Sequence, residues 1–164
     1  MRKAFALLLC LLLLIGCASA EQGRYQGRSY SFSVPEPFEH VEQAGIVCFA
    51  PYGDPLRSSS ITIYTTELNW YFDTFTQSEY SEALSSLTGY ESITVLEITD
   101  CSVGGYAAKR VACSVRIDQG EHELILYVVN ADKTYVFTLL NRDGDGYVEP
   151  FDGMIKTVSF TGEP

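Results

Sequence analysis

The densest run of potential metal ligands is NRDGDGYVEPFD, residues 141–152. In the register of an EF-hand loop, Asn141, Asp143 and Asp145 take positions 1, 3 and 5. Gly146 takes the sharp turn, Val148 the apolar position, and Asp152 the last ligand position. Calcium needs alternating oxygens that converge on one ion while a glycine lets the chain fold around it. Several features depart from that pattern. Asn replaces Asp at the first ligand, Asp152 is one methylene shorter than the usual Glu, Pro150 interrupts the loop, and a strand precedes it. The competing reading is a polar strand-to-helix turn with acidic residues near a helix N-terminus, where the dipole favours them. Calcium is thus the one candidate ligand, at Asn141, Asp143, Asp145 and Asp152, and no other cofactor is implied.

Other chemistry finds less support. Two histidines, His40 and His122, are the only imidazoles, and neither G-x-S-x-G nor H-E-x-x-H occurs. Both sit in acid-rich segments, PEPFEHVEQ and GEHE, and read as solvated surface residues. Paired carboxylates are abundant, as on any acidic surface, and only a cleft of set geometry would make them catalytic. Asn69-Trp70-Tyr71-Phe72 is an aromatic cluster before a helix. It reads as helix-entry packing, or as a contact patch presenting Trp70 and Tyr71 to a protein or glycan.

The remaining reactive residue is Cys17. The chain opens MRK and continues with an apolar run over residues 4–16. A membrane-spanning helix needs roughly 20 apolar residues, so this run fits an export signal instead. It ends in Leu14-Ile15-Gly16-Cys17, which resembles the bacterial lipobox. There a thiol receives a diacylglyceryl group and becomes the new N-terminus. The chemistry needs a sulfur for the thioether and a small residue before it for the peptidase, and Gly16 meets that need. Two acyl chains hold firmly, since each buried methylene contributes about 0.8 kcal/mol and one chain alone is marginal. The rivals are an ordinary secretory signal cut after Ala18 or Ala20 and a retained signal anchor. On the lipobox reading, residues 1–16 are the signal peptide, 17–28 a lipidated tether, and 29–164 one domain.

Charge narrows the partners. Eleven basic residues face 21 acidic ones across 164 positions, a net charge of −10. That balance repels phosphate backbones and anionic headgroups, so nucleic acid is excluded and any membrane attachment runs through the lipid on Cys17. Cys48, Cys101 and Cys113 show no metal spacing. Cys113 alternates with Val111, Val115 and Ile117 as a buried thiol, and a bridge to Cys101 or Cys48 stays open in an exported protein.

These residues must be carried by strands and two helices. Strands are predicted near 30–34, 45–50, 59–66, 92–101, 106–117, 122–130 and 134–140. Thr76 and Glu79 form a capping box, Phe75 and Tyr80 could staple it, and Tyr80, Ala83, Leu84 and Leu87 make one apolar stripe. A helix over 77–88, ended by Gly89, follows. A last helix carries Phe151, Met154, Ile155 and Val158. ELILYVV and YVFTLL are apolar on both faces, so their strands are central and covered twice.

The stretches YSFSVPEPF (30–38), GGYAAKR (104–110), TYVFTLL (134–140) and FDGMIKTVSF (151–160) resemble the PsbP-like fold, closest to its DcrB-like bacterial lipoproteins. The likeness covers about residues 29–160 and implies an α+β class. It predicts an αβα sandwich around a central, mainly antiparallel sheet of six or seven strands. Such proteins mostly assist assembly or bind other proteins, and the family supplies no catalytic residue to match. The expectation is a lipid-anchored, extracytoplasmic binding or accessory domain without catalysis, with an unidentified cell-envelope or protein partner. The alternatives are a small cell-envelope hydrolase and a calcium-stabilised binding module.

Overall fold

Two strands that are apolar on both faces set the architecture. The computed structural model describes residues 23–161, apart from 44, 53–54, 56–57, 68–75, 91, 143 and 145. Among the described residues there are ten strands: β1 (Arg24–Gln26), β2 (Tyr30–Ser33), β3 (Phe38–Gln43), β4 (Ile46–Pro51), β5 (Ser60–Thr66), β6 (Ile93–Val103), β7 (Tyr106–Ile117), β8 (Gly120–Asn130), β9 (Thr134–Asn141) and β10 (Ser159–Phe160). Helix α1 is Gln77–Thr88 and helix α2 is Val148–Ile155. A seven-stranded antiparallel sheet runs β3-β4-β5-β9-β8-β7-β6, and a three-stranded sheet runs β1-β2-β10.

β8 and β9 lie inside the large sheet, and residues 124–129 and 134–141 are all buried. Alternation then divides their side chains. Leu124, Leu126 and Val128 face α1 and meet Tyr80 and Leu84. Ile125, Tyr127 and Val129 face the other way, into a core shared with the small sheet and α2. That second core is rich in aromatic rings. Tyr30 meets Tyr135 and Phe137 edge-on at 5.6 and 5.7 Å, and Phe32 meets Phe49 at 5.5 Å. Such pairings add about 0.5–1.5 kcal/mol each beyond the area they bury. One outer layer is thus α1, and the other is α2 beside a small sheet, a variation on the expected sandwich.

The local signals act as anticipated. Thr76 Oγ1 accepts from the Glu79 amide, while the Glu79 carboxylate accepts from the Thr76 amide at 2.7 Å. Gly89 ends α1 in the left-handed conformation at φ 76°. Phe75, the other half of the proposed staple, lies outside the described residues. At the β6–β7 turn Gly104 is required twice. Its φ is +57°, and a Cβ there would stand 2.7 Å from the Phe160 ring. α2 is tied down by charge: Asp152 accepts from the Tyr127 hydroxyl at 2.9 Å and from Arg110 Nε and Nη2 at 3.4 and 3.3 Å.

Two expectations are corrected, and the disulfide alternative left open beside a buried Cys113 thiol is closed. Residues 24–26, taken as tether, pair with β2, because Tyr25 finds an apolar seat 5.2 Å from Phe32 and 5.3 Å from Phe49. The 30–34 strand belongs to the small sheet, and the seventh place in the large one goes to β3, whose FEHVEQ sequence hides its alternation because it is an edge. Neither disulfide is feasible, and Cys48, Cys101 and Cys113 are free. Cys101 and Cys113 face opposite cores, while Cys48 on β4 is four strand spacings from β7, roughly 19 Å, against about 7 Å for a bridge.

Burial pushes the Cys113 thiol up to about 12. A water-soluble maleimide will therefore leave Cys48 and Cys113 unmodified in the folded protein and label both after chaotropic unfolding, as read by peptide mass spectrometry. Raising the pH to about 9, above a free thiol's pKa, will not speed Cys113 labelling, because its folded value lies higher still. Rapid native labelling of Cys113 would contradict its place in the core.

Candidate ligand-binding cleft

The edges of the two sheets meet at one end of the molecule. β1 is the outer strand of the small sheet and β3 the outer strand of the large one. Between them opens a cleft of about 690 Å³ whose walls include Tyr25, Phe38, His40, Phe49 and Tyr52. Each ring has a local reason to be there. The β3–β4 register places His40 opposite Phe49, and the strand period sends Phe38 and His40 to the side facing the small sheet. The His40 ring lies 5.3 Å from Phe49 and 5.7 Å from Tyr25. Partial burial raises the Tyr25 phenol above its ordinary pKa. Tyr52, just beyond β4, is 87% exposed at φ 58°. A bulky residue held in the left-handed region costs on the order of 1 kcal/mol or more, and here no burial offsets it.

The polar groups of the cleft are unevenly matched. Arg24 lies on one wall, and its Nη2 donates to Ser31 Oγ at 2.9 Å. Glu36 and Glu39 also line the cleft and are exposed, and among the described residues neither carboxylate has a hydrogen-bond or ion-pair partner, though the strand period turns the Glu39 side chain to the opposite face from Phe38 and His40. No serine, threonine or cysteine is among the lining residues. The arrangement can stack a planar or cationic group and seat an apolar stem. Among the described residues no side chain hydrogen-bonds His40 to activate it as a base or a neighbour as a nucleophile.

The sequence candidates fall elsewhere. Cys17, Trp70, Tyr71, Asp143 and Asp145 lie outside the described residues. Asn141 ends β9, buried, with Nδ2 donating to Glu123 at 3.1 Å and Oδ1 accepting from Ser59 at 3.5 Å. Asp152 is occupied by Tyr127 and Arg110. The two ends of the proposed calcium loop therefore serve separate networks, one at the end of the sheet and one under α2. Among the described residues no cluster of three or more metal-binding side chains occurs. His122 is not in a solvated turn but in β8, half-buried, with Nδ1 donating to the Arg142 carbonyl at 2.6 Å. His40 is exposed as expected, yet its ring lies against Tyr25 and Phe49 in the cleft, tilted 33° and 59° to them. Sequence reasoning missed the cleft because Tyr25 comes from the predicted tether, Phe38 and His40 from an acid-rich segment and Tyr52 from beyond a strand, with Phe49 alone in a predicted strand. The available signal was Tyr25, an isolated aromatic in an otherwise small and polar stretch.

Among the described residues no helix is long and apolar enough to cross a membrane. No protein-family model and no curated protein sequence matches the chain significantly. Solved structures do. Cyanobacterial PsbP (CyanoP) of Synechocystis superimposes with a TM-score of 0.64 at 15% identity, over 88% of this chain and 97% of that one. LpqN, involved in cell envelope biogenesis of Mycobacterium tuberculosis, gives 0.53 at 10% identity, over 88% and 87%. PA94 of Pseudomonas aeruginosa gives 0.52 at 14%, over 86% and 95%. At these identities the likeness is one of fold, and the fold is PsbP-like.

The partners of Asn141 and Asp152 yield an expectation for calcium. Millimolar calcium will leave the melting temperature unchanged from that in chelator. A rise of several degrees that is abolished in Asp143→Asn would show that the loop closes on the ion despite those contacts.

Proposed function

We propose that this chain is a lipid-anchored, extracytoplasmic binding or accessory domain that uses the edge cleft to hold a partner and performs no catalysis. The observation that carries the reading is the cleft itself: an aromatic-walled opening with no serine, threonine or cysteine among its lining residues and, among the described residues, no side chain hydrogen-bonded to His40. Sites that only bind need convergent contact surface, whereas sites that react need a nucleophile or base poised on a neighbour. The fold shared with CyanoP and with LpqN, a protein of cell envelope biogenesis, supports an accessory role at the envelope. The DcrB-like lipoproteins are the part of the PsbP-like group that the reading points to, because Leu14-Ile15-Gly16-Cys17 resembles their kind of lipid attachment site.

The anchor and the cleft are close along the chain. Gly23 borders the cleft, and a fully extended chain from Cys17 to Gly23 reaches at most about 21 Å. A lipid on Cys17 would therefore hold the cleft within about that distance of the membrane surface, where an envelope partner would meet it. The rival hydrolase reading draws on His40 sharing the cleft with Glu36 and Glu39. His40 lies between two rings, tilted to both, and among the described residues no carboxylate bonds it.

Two measurements test the proposal. Cys17→Ser will move the protein from the membrane fraction to the soluble extracytoplasmic fraction; retention in the membrane refutes lipid anchoring. A photo-crosslinking amino acid at Tyr52 will trap a discrete partner in native membranes, and the same group at exposed Glu121 will not. Equal or absent crosslinking at both sites refutes the cleft as the binding surface.

A further inference from the structure

We propose that β1 is a releasable strap. Docked, it forms one wall of the cleft and keeps the anchor short; released, it opens that wall and lengthens the tether. The change of length rests on the lipid on Cys17 proposed above, whereas the release itself does not.

β1 is held from one side. It has three residues, pairs with β2 alone, and is the outer strand of its sheet. Arg24 and Gln26 are exposed, so Tyr25 is its one inward side chain, half-buried against Phe32, Phe49 and the His40 ring. The ladder is closed at its two ends by the Val34 amide, which donates to the Gly23 carbonyl at 2.6 Å, and by the Gly27 amide, which donates to the Tyr30 carbonyl at 2.9 Å. Arg24 adds a side-chain bond to Ser31 Oγ. A short edge strand with one half-buried ring and a backbone open to water sits at the low-stability end of local unfolding.

β2 does not depend on it. On its other side β2 pairs with β10, and its own Tyr30 and Phe32 are buried in the aromatic core. Release of β1 therefore removes the rim of the small sheet and leaves the second layer over β8 and β9 in place.

The consequence is geometric. With β1 docked, the link from Cys17 ends at Gly23 and reaches at most about 21 Å. With β1 released, the link runs from Cys17 to Tyr30 and reaches at most about 45 Å. Arg24 and Tyr25 leave the cleft at the same time, because they belong to the strap. Reach from the membrane and the shape of the cleft are thus one equilibrium, and a ligand packed against Tyr25 holds the short form.

The test uses the full chain as isolated from bacterial membranes, in three forms: unaltered, Tyr25→Ala, and the double variant Arg24→Cys, Ser33→Cys. Arg24 and Ser33 are directly opposed across β1 and β2, a spacing that a disulfide can bridge. All three carry Cys101→Ser, because Cys48 and Cys113 are buried and only Cys101 could compete for the new bridge. Each form should keep one cooperative thermal transition. In amide exchange, Val34 should exchange at least about 100-fold faster than Phe137 in the unaltered strap. It should exchange faster still in Tyr25→Ala, and at least about tenfold slower once the double variant is oxidised. Val34 exchanging as slowly as Phe137, or a rate that ignores oxidation, would show that β1 leaves only with the whole fold and would overturn the strap. Energy transfer from a dye on a C-terminal tag to acceptor lipids in phosphatidylcholine vesicles reads the tether. Transfer should be weaker for Tyr25→Ala than for the oxidised double variant, and equal transfer overturns the lengthening. If the unaltered chain does not float with the vesicles while Val34 behaves as expected, the anchor on Cys17 and the lengthening fall together and the strap stands. If the chain floats while Val34 is fully protected, the anchor stands and the strap falls.

Discussion

The structure depends on the double burial of β8 and β9. A strand that is apolar on one face can sit at the surface, but one that is apolar on both must be roofed twice. The roof over Leu126 and Val128 is α1, and the roof over Tyr127 and Phe137 is the small sheet with α2. Once those roofs are in place, the rest of the chain has few choices. The strands beside the pair extend the sheet outward until they run out of apolar residues, and the sheet ends in polar edges at β3 and β6. The small sheet covers one face only as far as its own edge at β1, and the cleft is the seam that this partial cover leaves.

That seam explains why the candidate site lies where it does. A fully covered sheet would leave only flat polar surface at its rim. Here the aromatic core continues outward along Phe32, Phe49, Tyr25 and His40 without being closed over. The inner rings are fixed by packing, and the outer ones inherit their positions at little extra conformational cost, which is the preorganisation a binding surface requires. Asp152 contributes from beneath. By holding Arg110 on β7 and Tyr127 on β8 it ties α2 to the large sheet.

Legibility in the sequence followed the strength of the local signal. The strands 106–117 and 134–140 and the helix 77–88 declared themselves through alternation, turns and a capping box, and their bounds hold to within a residue. The split of Leu124 from Ile125 across two faces was equally visible, because a two-residue period needs no knowledge of partners. What stayed hidden was whatever depends on long-range pairing. Ser159–Phe160 is too short to carry a period, and FEHVEQ is an edge whose outer positions are free to be polar. Tyr25 gains its meaning only when β2 brings Phe32 beside it. Apart from Phe49, which lies in a predicted strand, the cleft is assembled from such pieces, and reactive motifs do not mark it. The acidic loop at 141–152 drew attention through composition, yet Asn141 and Asp152 were already committed to partners far away in sequence, Ser59 and Arg110.

The central claim is that a rigid two-faced strand pair supports an edge whose strands are left open. Native-state amide hydrogen exchange reads both halves of that claim on one sample. The account predicts that amides of Leu126, Val128, Val136 and Leu139 exchange only through global unfolding, while amides of β3 directed away from β4 exchange orders of magnitude faster. Uniform protection across β3 and β9 would contradict it, since it would mean that the edge is already covered and the cleft closed.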